Sequence, residues 1–312
     1  MGKVTVVGGK VGMSFTGLLS ISPTTLTLTT DSKKGTITVT RKGDGTISAV
    51  SSDTSVATVS VSGTTVIVTG LKTGTAEITI SVSKGTLHEK PEPVTCSVIV
   101  DFSLKLSTIA EGSIVKVNEN GSPVEFYVAK HNYESELNGA GRTLLVRKDG
   151  HSSQHWNNAS VIAYASSFVD TWLNDTYKAV LEPSVQSAIG TTKFYYTAGN
   201  GTASISTLSR GVFLLSMKEV GVMPNGTKCN AEGSTLPISS LLPVLYINGT
   251  AVEWWSRSPY LDSTKYLVWG FTTGGAAGSI TVNKYTKGVR PCFTLPATAK
   301  FNPNTLVFEG VS

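Results

Sequence analysis

Over the first hundred residues, apolar and polar positions alternate. Residues 26–29, 36–40, 57–61, 65–68, 76–82 and 96–100 each repeat with period 2, and Gly, Asp or Ser punctuates the gaps about every ten residues. Because successive side chains of an extended chain point to opposite faces, this pattern predicts short strands with one buried face, the sequence of a small β-sandwich. The gaps carry turn chemistry of their own. Asp53 and Ser55 can close a turn through side chain to backbone bonds, Val56 and Val59 then enter the core, and Gly70 and Gly74 serve the tight turn between two strands. Residues 84–93, with Pro91 and Pro93, interrupt the alternation and read as an exposed loop.

After residue 103 the texture changes: aromatic residues rise and helical spacing appears. Between 159 and 181, Val161, Ile162, Ala165, Phe168, Val169, Trp172, Leu173, Tyr177 and Val180 recur at intervals of 3 and 4, which predicts one amphipathic helix with Asn158 as its N-cap and Pro183 just beyond its end. A shorter helix is expected over 183–189, with proline in its first turn. The continuous apolar run 212–215 predicts a buried strand, and 217–220 a single helical turn. The fold class expected is mainly β with an α+β C-terminal part: an arm over 1–19, a sandwich over 20–103 and a second domain over 104–312. The arm contains Gly2, Gly8, Gly9, Gly12 and Gly17 between apolar residues, so it is either frayed or an attachment segment held from outside its own domain.

Composition narrows the function classes. With 40% hydrophobic and only 15% charged residues the chain is not intrinsically disordered. The net charge of +5 is spread thinly: Lys33-Lys34, Arg41-Lys42 and Arg147-Lys148 are the only adjacent basic pairs, so no stripe fit for nucleic acid is expected. No apolar window of about 20 residues occurs, which argues against membrane insertion. The N-terminal residues lack the apolar run of a secretory signal, an expectation that favours release by lysis over export. Cys96, Cys229 and Cys292 are odd in number and far apart, so neither a disulfide framework nor a zinc site is expected, and each reads as a small buried residue.

Candidate chemistry is sparse. His88 lies in the predicted sandwich loop, and no Gly-x-Ser-x-Gly elbow accompanies His131, His151 or His155. His151 and His155 would share a face only on a helix, whereas residues 152–154 read as a loop, so these are expected to be exposed polar histidines. Glu134 and Glu136 sit two apart in a polar segment and read as solvated. Calcium needs clustered oxygens, yet Asp262 is the only acidic residue of 260–287. No catalytic residue, metal or cofactor is expected. Trp172 falls on the apolar helix face. Trp254 and Trp255 are consecutive, so on a strand they point to opposite faces and one fills the core. Arg257 and Arg290 stand in similar settings, each followed closely by proline, and each could bind loop carbonyls through its planar fork, holding the fold rather than a ligand.

Ser22-Pro23, then SSDTSVATV at 51–59, then TVIVTGLKTGTAEITI at 65–80 make residues 20–102 resemble the bacterial immunoglobulin-like group 2 domain. In the second region YASSFVDTWLND (164–175), GVFLLSMKEVG (211–221), EWWSRSP (253–259) and GVRPCFTLP (288–296) follow in a fixed order. They resemble an uncharacterised domain of gut Firmicutes and their phages. Through the last two motifs they resemble the C-type-lectin-like variable proteins of diversity-generating retroelements. Cys292 departs from the pattern, where a small residue is commoner. Enzymatic relatives of that fold that oxidise a cysteine need paired reactive cysteines, which Cys229 and Cys292 do not form.

The resemblance implies a non-enzymatic bacteriophage virion protein of tail, fibre or capsid surface, presenting a lectin-like domain for host-surface attachment; a bacterial cell-surface adhesin built from the same modules is the alternative. Implied partners are other virion proteins, through the arm or sandwich, and a host-surface glycan or protein. Relatives in phage tails imply a homo-oligomer, a trimer. Tyr260, Tyr266 and Tyr285, with Asp262, Lys265 and Asn283 as polar neighbours, are the candidate ligand-binding residues. They are large amphipathic side chains and their neighbours in a Gly- and Thr-rich stretch with little core of its own. Trp269 between Val268 and Phe271 is expected to pack inward.

Overall fold

A computed structural model describes residues 3–7, 10–157, 162–199, 202–224, 228–261 and 266–311. The chain divides into two compact units, Met1–Ser103 and Leu104–Ser312, and is mainly β.

In the first unit, strands Leu18–Ser22, Lys34–Lys42, Thr65–Gly70 and Ala57–Ser62 form one antiparallel sheet in that order. Thr25–Thr29, Val94–Asp101, Gly74–Val82 and Ile47–Ser51 form another, with Thr25–Thr29 parallel to Val94–Asp101. Inward residues of both sheets, among them Leu28, Ile37, Val66, Val68, Ile78, Ile80, Cys96 and Val98, make one core. Burial alternates along every long strand because the pleat turns every second side chain inward. At the turn before Ala57–Ser62 the Asp53 carboxylate accepts hydrogen bonds from the backbone N–H of Ser55 at 2.9 Å and its hydroxyl at 2.7 Å.

Two differences from the expected arm follow. Lys3–Val7 pairs antiparallel with Lys10–Ser14, while Gly2, Gly8 and Gly9 lie outside the described residues. Leu18 and Leu19 belong to the sheet, facing Lys42 and Arg41, so the sandwich begins ahead of residue 20. Phe15 is also tied down: its N–H donates to the Leu87 carbonyl and its carbonyl accepts from Glu89. The pattern hides this strand because its side chains are only partly buried.

The second unit is built on two five-stranded sheets. One runs Ile114–Glu119, Ser122–Lys130, Arg142–Arg147, Cys292–Pro296, Val212–Phe213; the other runs Ser153–His155, Thr286–Gly288, Trp254–Pro259, Leu267–Phe271, Ala277–Thr281. A hairpin of Thr192–Gly199 with Thr202–Arg210 stands beside them.

The expected helix over 159–181 is shorter. Residues 158–161, and with them Asn158 and Val161, lie outside the described residues. Tyr164–Ser166 is a 3-10 turn, and the helix starts at Phe168 with Ser167 as N-cap, its hydroxyl accepting from the N–H of Asp170 at 3.2 Å. It runs through a π turn, Leu173–Tyr177, to Val180. A serine oxygen that satisfies the first free N–H groups starts a helix wherever it stands, and here it overrides an apolar spacing that continues upstream. Phe168, now in the first turn, is exposed at 39% rather than on the buried face; Trp172 is buried. The shorter helix, Pro183–Ala188, has its proline at N1. Met217–Val220 is a single turn closed by a capping box between Ser216 and Glu219.

Candidate functional site

Strand Trp254–Pro259 is central in its sheet and buried along its whole length. Both tryptophans are therefore core, where alternation alone expects one. Trp254 stacks on Phe271 with centroids 4.1 Å apart and donates its indole N–H to the Pro243 carbonyl. Trp255 packs against Trp156 and donates to the Gln154 carbonyl. Trp172 packs between His151 and Tyr177.

The two arginines have different surroundings. Arg290 donates to the carbonyls of Leu242, Lys148 and Val244, with its guanidinium 4.7 Å from the Trp254 ring centroid. Buried without a carboxylate partner among the described residues, its pKa is pushed down to about 10 by desolvation. Arg257 donates to the carbonyls of Tyr195 and Leu214 and pairs with Glu219 at 2.6 Å. Glu232, also fully buried, lies 3.6 Å from it and accepts from the N–H of Thr197 and the hydroxyl of Ser258. No sequence signal marks Glu219 and Glu232 as its partners, since both reach it from other segments.

Of the candidate binding residues, Asp262 and Lys265 lie outside the described residues. The N–H of Tyr260 donates to the Leu267 carbonyl and that of Val282 to the Tyr266 carbonyl, so Tyr260, Tyr266 and the start of the segment holding Asn283 and Tyr285 meet at one end of the Leu267–Phe271/Ala277–Thr281 ladder. Tyr266 and Tyr285 are exposed, at 53% and 54%, and Asn283 is exposed beside them. Tyr260 is half-buried: its ring lies 5.0 Å from that of Trp269, whose indole donates to the Lys228 carbonyl. Tyr260 thus packs on Trp269, which offers it an apolar face. The Lys287 ammonium sits 5.1 Å from the Tyr285 ring centroid.

Two polar residues, His151 and Glu134, depart from expectation. His155 is exposed, but His151 is half-buried against Tyr177, with ring centroids 5.0 Å apart, and desolvation lowers its pKa. His131 is held by Thr143 at 2.9 Å and the Ile109 carbonyl at 3.0 Å. Among the described residues no group of three His, Cys, Asp or Glu is placed to hold a metal. Glu134, expected in solvent, is 3% exposed and adopts a left-handed backbone, φ 44°. Burial, and then a proton shared with Glu136, push its carboxyl up to about 7. Nothing local distinguishes this pair from a solvated one; the segments that bury it, Tyr195 and residues 231–234, lie far along the chain. The three cysteines are free and buried, and burial pushes the Cys229 thiol up to about 12.

No curated protein matches the chain. Among solved structures it is similar to the surface layer protein SbsC. Against domains 1–6 the identity is 19%, with 50% of this chain and 20% of that one covered at a TM-score of 0.23. Against domains 5–6 of the same S-layer protein the identity is 18%, with 67% and 98% covered, again at 0.23. A family model described as a domain of unknown function, DUF6273, matches residues 140–297. That stretch takes in the helix, both arginines and the aromatic end of the second sheet, and the chain belongs to the DUF6273 family.

Proposed function

We propose that this protein is a non-enzymatic surface-recognition protein of a bacteriophage particle, in which an immunoglobulin-like unit carries a C-type-lectin-like unit that attaches to the host surface. The observation that carries the reading is the pair Tyr266 and Tyr285, two large amphipathic rings exposed at one end of a sheet whose interior aromatics are all packed. Rings fixed by a strand frame contribute contact area at small entropic cost, and Tyr260 packed on Trp269 within that frame adds rigidity. The virion setting rests on the resemblance of the second unit to a domain of gut Firmicutes and their phages. The ligand class is a glycan or protein of the host surface.

The test is the double substitution Tyr266→Ala/Tyr285→Ala in the full chain, read by binding to host cells. Attachment is expected to fall at least tenfold with the thermal midpoint unchanged. Full attachment by the folded double variant would overturn the reading.

A further inference from the structure

A second polar site lies away from the tyrosine end. The helical turn Ser135–Asn138, the hairpin Thr192–Gly199/Thr202–Arg210 and the segment 231–234 enclose an open cleft of about 320 Å³. Tyr195, Ile205 and Ala231 line it beside the polar side chains of Glu134, Glu136 and Ser234. The polar lining is rich in acceptors and poor in donors. Glu134 is almost fully buried, yet its Oε1 accepts no hydrogen bond. The nearest cation, the Lys130 ammonium, stands 3.8 Å away, in ion-pair range but beyond a hydrogen bond, and donates instead to the Ser234 hydroxyl at 2.9 Å. Gly233, at φ +75°, lies against that oxygen: a Cβ there would stand 3.3 Å from Glu134 Oε1.

A buried acceptor left unmade costs free energy, and a charged donor repays it best. An ammonium supplies three donors and a compact positive charge, matched to two adjacent carboxyls, while the carbon body it rides on would lie along Tyr195 and Ile205. A metal ion fits less well, because the cleft offers only two carboxylates where such an ion wants about six or more oxygens. Glycoside hydrolysis does not fit either: the two carboxyls share a proton directly, which leaves no room between them for a scissile bond.

We propose that this cleft is a binding site for a small organic amine, its ammonium held by Glu134 and Glu136 and its carbon frame against Tyr195 and Ile205. The groups facing Glu134 are Lys130, Glu136 and Glu219, with the Tyr195 hydroxyl on Glu136 and the Tyr133 hydroxyl on Glu219. Since Glu134 holds a proton up to about pH 7, the ammonium competes with that proton, so binding tightens as pH rises through 7.

The experiment is calorimetric titration of the full chain at pH 8 with two amine probes, glucosamine and n-butylamine, against N-acetylglucosamine and glucose as uncharged controls. At least one amine is expected to bind tenfold or more tightly than either control; which one separates a sugar from an alkyl frame. Glu134→Gln should weaken the binding at least tenfold and abolish its pH dependence. Ile205→Trp, at an exposed position, should block the cleft without touching the carboxyls, so a folding defect in Glu134→Gln does not decide the outcome. Tyr266→Ala should change nothing, which keeps this site distinct from the proposed attachment surface. Failure of both amines to bind, equal binding of the controls, retention in Ile205→Trp, or capture of Ca²⁺ in place of amine would each overturn the proposal.

Discussion

Arg257 Nη1 lies 2.6 Å from Glu219 Oε2, and neither side chain is reached by solvent. The same carboxylate accepts the Tyr133 hydroxyl at 2.5 Å and the Ser216 N–H at 2.8 Å, so one buried charge ties a helical turn, a sheet strand and a loop together. Removing it leaves the buried guanidinium with only the more distant Glu232, at 3.6 Å, as counter-charge among the described residues. Glu219→Ala is therefore expected to cost about 3–5 kcal/mol in urea unfolding. Arg257→Lys should recover little, since an ammonium cannot reproduce the fork that reaches the carbonyls of Tyr195 and Leu214. A loss below about 1 kcal/mol for Glu219→Ala would contradict this account.

Stability should depend on Glu134 over a defined pH window. Its carboxyl titrates at 4.5 when unperturbed and at about 7 in the fold. Between those values the folded chain holds a proton that the unfolded chain has released, so the contribution is whole below pH 4.5 and is lost as pH rises through 7. Glu136, whose pKa is lowered by its hydrogen bond to Glu134, acts in the opposite sense and below this window. Glu134→Gln, which resembles the protonated form, should gain on the order of 2–3 kcal/mol relative to wild type between pH 5 and pH 8. Parallel stability profiles for the two proteins would show that the site does not hold the proton.

Phe168 and Trp172 sit one turn apart on the same helix but differ in burial, 39% against 8% exposed. Trp172→Ala should cost about 3–5 kcal/mol by leaving a cavity beside His151 and Tyr177. Phe168→Ala should stay within about 1 kcal/mol. Chemical denaturation of both variants checks the contrast; equal losses would return Phe168 to the buried face.

Ser167 both accepts from the Asp170 N–H and donates to the Tyr164 carbonyl at 2.8 Å, linking the 3-10 turn to the helix. Ser167→Ala is expected to cost about 1–2 kcal/mol, and Ser167→Asp, which keeps the cap acceptor, to recover part of it. Thermal unfolding of the pair distinguishes a cap from a packed hydroxyl, for which aspartate would be worse than alanine.

What the sequence alone determines here is local. Period-2 alternation sets the strands of the first unit and which side chains they bury, because the pleat is a property of each strand by itself. The same holds for the proline at the start of Pro183–Ala188 and the Asp53–Ser55 turn, whose geometry closes within two or three residues. Tertiary structure decided the rest. Glu134 and Glu136 are alike in sequence, yet only Glu134 is buried; Trp254 and Trp255 point to opposite faces, yet both are core; Arg257 and Arg290 stand in similar motifs, yet only Arg257 meets carboxylates. Each difference is a matter of desolvation and of which distant segment supplies the covering atoms or the compensating charge. Local spacing carries no record of that, because the free energy of a buried polar group is set by everything packed around it and not by its neighbours along the chain.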